Sequence, residues 1–285
     1  MLRYPARGYT TQTGGTSGPL AARFVIVSEP SASALAELIE RPPASLSGSR
    51  PLRIVVFTNS ASRGEQGRLR PAIAPAIEPA SFSRFDTGAE AGLPPLRFAD
   101  QEAASIVSLY GRERATVMTG ASASAEFVKA LDWRPFTVGR FATHAVVDPR
   151  HAELSGLLLS ASGPGDQRGR MLRYEEISRL HAPLELVVLS ACDTANGKQA
   201  PGEGLLGLSH AFMAAGSERV LGTLWKVDDE ATAAWMSMFY RDLKQSGSPA
   251  GALRRAQMQM AADPRWHSPY YWAGFSLEGN WHGIR

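Results

Sequence analysis

The run Leu186-Val187-Val188-Leu189 places apolar side chains on both faces of a short extended segment. A half-solvated strand alternates apolar and polar residues, so a strand apolar on both sides must be covered on both sides. Helical packing on the two faces of a mostly parallel sheet is the layer architecture that provides this cover. Similar short runs punctuate the chain at Arg23–Val27, Leu52–Phe57, Ala115–Met118, Thr137–Ala142, Gly156–Ser160, Glu185–Ser190, Arg219–Leu224 and Trp272–Leu277. Between them lie segments of helical spacing at Ser31–Glu40, Asp100–Tyr110, Ser124–Leu131, Tyr174–Leu180, Gly204–Ala215, Asp229–Lys244 and Pro249–Ala262. The alternation predicts one α/β domain over residues 22–285, with helices on both faces of the sheet. Residues 1–21, polar and Thr/Gly/Ser-rich between Thr10 and Gly18, are expected to form a flexible segment. The Pro/Gly/Ser/Ala-rich stretch 59–95 is expected to form a mobile loop.

Bulk properties narrow the function only by exclusion. A net charge of +3 is spread over scattered Lys and Arg, so no nucleic-acid partner is expected. Cys192 is the single cysteine, which excludes an intrachain disulfide and suits a reducing compartment, so a cytoplasmic location is expected. No apolar run reaches signal-peptide or bilayer-spanning length, so no membrane association is expected. The six histidines lack metal-ligand spacing, and neither a metal nor a cofactor is expected.

In open parallel sheets, ligands bind beyond the carboxyl ends of the strands. Three predicted strands run there into reactive or large side chains: Phe141-Ala142-Thr143 into His144, Leu189-Ser190-Ala191 into Cys192, and Gly222-Thr223-Leu224 into Trp225. A lone buried thiol is usually inert packing, and a lone histidine is usually structural. Their pairing at adjacent strand ends, 48 positions apart as in caspase-type enzymes, favours chemistry.

The motifs Phe141-Ala142-Thr143-His144, Glu153–Leu159, Leu189-Ser190-Ala191-Cys192-Asp193-Thr194, Gly202–Leu208, Ala211–Gly216, Leu224–Thr232 and Pro269–Phe275 together resemble the CHAT domain, a relative of caspases and separases. The resemblance spans about half the chain and implies a caspase-like fold. It also implies that His144 is a general base and Cys192 a nucleophile that cleaves peptide bonds through a thioester acyl-enzyme. A thiol of ordinary pKa, roughly 8.5, is a weak nucleophile at neutral pH, and an adjacent imidazole raises its thiolate fraction. Backbone N–H groups of Ala145 and Cys192 are the expected oxyanion donors. Trp225 is a candidate substrate wall, and Asp193, Asp228 and Asp229 are candidates for selecting a basic side chain, although Asp228 also suits a helix N-cap. The expected partner is a protein or peptide substrate, with a TPR-type or other regulatory partner, since CHAT domains often follow TPR repeats.

Two departures support a different class of function, a catalytically inactive caspase-like binding module. Ala145 stands where the family usually has Gly, and the strands usual before the region of Ala22 are expected to be missing, along with any TPR array. A lesser alternative is a nucleotide-binding enzyme using Gly202-x-Gly204-x-x-Gly207, although about a dozen residues separate Ser190 from Gly202, too many for a tight strand-to-helix turn. The aromatic residues Trp266, Tyr270, Tyr271 and Trp272 are expected to be core packing.

Overall fold

The computed structural model describes residues 19–29, 31–32, 35–36, 51–59, 96, 98–147, 155–161, 170–189, 192–194 and 203–284. All but residue 59 of the expected loop 59–95, and six of the ten residues of the expected helix Ser31–Glu40, lie outside these residues. Ten strands are described: β1 (Ile54–Thr58), β2 (Ala115–Met118), β3 (Val138–Ala142), β4 (His144–Val147), β5 (Gly156–Leu158), β6 (Met171–Arg173), β7 (Leu186–Leu189), β8 (Cys192–Thr194), β9 (Arg219–Thr223) and β10 (Phe275–Gly279). The helices are α1 (Ala99–Tyr110), α2 (Ala125–Ala130), α3 (Tyr174–Ser178), α4 (Glu203–Ala214), α5 (Asp229–Ser246) and α6 (Pro249–Ala262).

The main sheet has the order β10-β9-β7-β3-β1-β2, all parallel except for the antiparallel edge strand β10. Its strands β1, β3, β7 and β9 are buried along their whole length, as the mainly apolar sequences of β1 and β7 require, while β3 and β9 also bury Arg140 and Arg219. One face, through Ile54, Val56, Val138, Leu186, Val188 and Leu221, packs against α1, α5 and α6. The other, through Val55, Phe57, Phe141, Val187, Leu189 and Val220, packs against α2 and α4. On the first face the indole of Trp235 stacks on Phe275 at 3.8 Å between ring centroids, pinning α5 to the antiparallel edge.

A second, smaller sheet of order β6-β5-β4-β8 leaves the carboxyl ends of β3 and β7. Its residues Ala145, Leu157 and Leu172 join the α2/α3/α4 core. Where β5 exits, Ser160 donates its backbone N–H to Ala123 at 3.0 Å, and its hydroxyl lies 3.3 Å from the Asn59 side chain just after β1. The small sheet is thereby tied to the large one.

The strand expected at Arg23–Val27 does not form. Leu20–Ala22 is a 3-10 turn whose carbonyls accept hydrogen bonds from Arg254 of α6, and Phe24, Val25 and Ile26 are about half exposed. β-branched residues there find no neighbouring strand to pair with, and propensity alone does not make one. Pairing begins only at Ser28, which makes a single bridge to Glu278 of β10, with Ser28 N–H to Leu277 O at 2.9 Å and Gly279 N–H to Ser28 O at 3.2 Å.

That contact brings the Glu29 and Glu278 carboxyl groups together beneath the sheet edge. Burial and then the Glu278 charge push the Glu29 carboxyl up to about 7. Burial likewise raises Glu278, against a smaller lowering by Ser209. A carboxyl raised on docking stabilises the docked segment at low pH; that stabilisation is fully present below the ordinary value of 4.5 and is lost as pH rises through about 7. Hydrogen exchange at the Ser28 and Gly279 amides, corrected for intrinsic rates, is therefore expected to lose protection between about pH 5 and about pH 8. Glu29→Gln is expected to flatten that dependence, and a dependence unchanged by this substitution would exclude the carboxyl pair as its origin.

Candidate active site

The chemistry-bearing residues gather where the two central strands leave the main sheet. β3 and β7 pair in parallel up to Phe141↔Leu189, residues 48 positions apart. They pair again as β4 and β8, with Ala145↔Cys192, now 47 positions apart. The His-bearing segment thus takes up one extra residue between the two ladders, at the bend of Thr143. An extra residue on one strand re-aims the residues after it, as a β-bulge does. His144 and Cys192 end one register step apart on adjacent strands, which for β spacing separates their Cα atoms by about 6 Å and, since faces alternate along a strand, places position 144 on the face opposite to that shared by the paired positions 145 and 192.

His144 is 7% exposed and pairs across to Leu158 of β5. Ala145 lies inside β4, paired with Leu157 on one side and Cys192 on the other. A residue paired on both sides is extended, so alanine carries no left-handed backbone strain there and the missing glycine costs nothing in conformation. Cys192 opens β8, the last strand of its sheet, and Asp193 comes next, opposite Val146.

The third strand end supplies the Trp225 turn. β9 lies beside β7, as Val187↔Val220 shows, so this turn leaves the sheet next to the segment that leads to Cys192. It is braced from the segment before β10: Leu224 N–H donates to Gly274 O at 2.9 Å, Trp225 Nε1–H to Tyr270 O at 2.9 Å, and the Tyr270 hydroxyl to Lys226 O at 2.9 Å. The indole lies so close over Gly274 that a Cβ there would sit 2.7 Å from the ring. The aromatic cluster is therefore divided. Trp266 and Trp272 are buried, as expected, but Tyr270 is 51% exposed and acts as a brace rather than as core. The bracing partner of Trp225 is 45 residues away in sequence, and no local pattern signals it.

Two of the acidic candidates, Asp228 and Asp229, are held by backbone groups. Asp228 caps α5, accepting the Ala231 N–H at 3.0 Å. Asp229 Oδ2 accepts the Phe98 N–H at 3.1 Å, fastening α5 to the start of α1. Gly204 and Gly207 both lie within α4, after β8, and Gly202 lies outside the described residues. A phosphate-cradling turn needs its glycines between strand and helix, so these two are wrongly placed for one. Among the described residues, no group of three or more His, Cys, Asp or Glu could hold a metal ion, and no helix is long and apolar enough to cross a membrane.

Comparison with known proteins yields a match to the CHAT domain family over residues 4–280. Tetratricopeptide repeat protein 28 of Mus musculus is 33% identical over 113 residues, 40% of this chain and 5% of that protein. Its Homo sapiens counterpart is 32% identical over 110 residues, 39% of this chain and 4% of that protein. The chain thus spans about a twentieth of the length of these relatives. Among solved structures, the Saccharomyces cerevisiae separase–securin complex aligns with a TM-score of 0.47 at 16% identity, over 90% of this chain and 14% of that one. The Porphyromonas gingivalis RgpB pro- and mature-domain complex aligns at 0.48 and 9% identity, over 88% of this chain and 52% of that one.

Replacing Asp228 by Ala is expected to lower unfolding stability by about 1 kcal/mol, read by urea denaturation, whereas Asp228→Ser keeps most of it because a hydroxyl also caps. If Asp228 also selects a basic side chain, Asp228→Ser will weaken binding of basic peptides at unchanged stability. Unchanged binding would leave the residue as a cap alone.

Proposed function

The chain belongs to the CHAT domain family, and on that footing we propose that it is a cysteine peptidase whose His144 and Cys192 act as a pair. The observation that supports this reading is the register of the small sheet, which brings the two backbones to adjacent strands one step apart; because Ala145 is the residue opposite Cys192 and faces alternate along a strand, the reading requires the thiol to turn out of the strand pattern at the first residue of β8. In the proposed reaction, the imidazole of His144 takes the proton of the Cys192 thiol, and the thiolate attacks the carbonyl carbon of a peptide bond. The tetrahedral oxyanion is met by the backbone N–H of Cys192. Ala145 is the weaker candidate donor, because its in-strand position between β5 and β8 directs its N–H into the plane of the sheet. The C–N bond then breaks, with the proton passing from His144 to the leaving amine. Water activated by the same imidazole hydrolyses the thioester, restoring thiol and neutral histidine.

The braced Trp225 turn forms one wall for the peptide in this reading, with Asp193, directly after the nucleophile, within reach of a basic side chain. The single cysteine fits a reducing, cytoplasmic setting. The relatives named for tetratricopeptide repeats favour a regulatory partner of that type.

A second reading is supported by the enclosure of His144, which is only 7% exposed, as suits a module that binds a peptide without cutting it. The pH dependence of Cys192 alkylation by iodoacetamide separates the two. An activated pair is expected to give an apparent pKa at least about one unit below the free-thiol value, rising when His144 is changed to Ala. A thiol that reacts identically in parent and His144→Ala would leave the binding module as the function.

A further inference from the structure

We infer that Arg140 is a positioning residue for the His144–Cys192 pair, an inference that rests on the peptidase reading above. Arg140 sits in the centre of β3 and is wholly buried, as is its partner Glu102 of α1 at 4% exposure. The guanidinium Nη2 donates to Glu102 Oε2 at 2.8 Å, and Nε donates to Oε1 of the same carboxylate. The remaining arm does something an ion pair does not require. Nη1 donates to Phe141 O at 2.9 Å and to Val188 O at 3.2 Å.

Those two carbonyls belong to the two strands that deliver the pair. Phe141 lies three residues before His144 on β3, and Val188 lies four residues before Cys192 on β7. They stand at the last rungs of the β3/β7 ladder, just before the strands part and the His-bearing segment takes up its extra residue. One guanidinium therefore fastens both strand ends to each other and, through Glu102, to α1. The position at which the strands re-pair as β4 and β8 is referenced to this clamp.

Stability alone gives little reason for a charge here. Burying two ions costs about as much as their attraction returns, and well-packed apolar residues of similar volume often serve equally well or better. Burial works against the charged guanidinium, but the neighbouring Glu102 carboxylate offsets this and holds Arg140 above its ordinary value, so the fork stays protonated. Only the planar guanidinium can reach one carboxylate and two backbone carbonyls together; a lysine offers the charge without the fork.

The test compares the parent with Arg140→Met/Glu102→Met, which removes both charges and strands neither, and with Arg140→Lys. Two quantities are read: the pH profile of Cys192 alkylation, and hydrogen exchange at the amides of β4 and β8 relative to β9, β10 and α6. In both variants the alkylation profile is expected to shift toward that of a free thiol, slowing the reaction at neutral pH about tenfold per unit of pKa. Exchange in β4 and β8 is expected to quicken while β9, β10 and α6 keep their protection. A folded double variant with parental alkylation and parental exchange in β4 and β8 overturns the inference, as does full recovery of both by Arg140→Lys, since charge alone would then suffice. Should the double variant fail to fold, Arg140→Lys decides on the same two readings. If the parent thiol itself behaves as a free cysteine, the peptidase reading falls, and the exchange measurements alone still decide whether Arg140 sets the β4/β8 pairing.

Discussion

The parallel pairing of β3 with β7 is the contact on which the remainder of the molecule depends. These two strands lie at the centre of the main sheet, contribute to both cores, and then continue outward to become β4 and β8. Any slip between them by one residue would exchange Phe141 and Leu189, which face α4, for residues that face α1 and α5, because side chains alternate along a strand. The same slip would separate His144 from Cys192. Core burial and site geometry are consequently specified by one register. A change harmful to the first is harmful to the second.

The surroundings of that pairing are mainly apolar, and the Arg140–Glu102 ion pair is buried there beside Tyr240. Tyr110 donates its hydroxyl to Tyr240 O at 2.8 Å, and burial pushes the Tyr240 phenol well up. The polar groups of this core are thus held in uncharged or mutually compensated form. A low-dielectric interior makes such groups costly if they lose a partner, so they hold α1, β3 and α5 to one arrangement. Local rigidity beneath the site results from that cost.

Around the site, long-range contacts do what local sequence cannot. The Trp225 turn comes after β9, yet it takes its shape from Tyr270 and Gly274, and the start of α5 is fastened to α1 through Asp229 and Phe98. Both tethers run across the carboxyl end of the sheet, where the candidate nucleophile and base emerge. Asp228 and Asp229, which look available for substrate in the sequence, are engaged with backbone donors in the fold. The capping contact of Asp228 fixes the start of α5.

Two-sided apolar runs, the helix cap at Asp228, and the placing of His144 and of Cys192 each at the end of an apolar run were legible in the amino-acid order, because each depends on neighbours a few residues away. The sequence alone determined the α/β layering, most strand and helix positions, and the location of the candidate site at the carboxyl end of the sheet. It did not reveal β4, β6 and β8: runs of three or four residues carry no period strong enough to distinguish a strand from a loop. Only tertiary structure decided that His144 and Cys192 re-pair in a second sheet with a one-residue offset, that Arg140 ties their parent strands, and that Arg23–Val27 stays unpaired. Those outcomes depend on hydrogen bonds between segments tens to hundreds of residues apart, and a strand or a clamp of this kind exists only once its distant partner has been brought alongside.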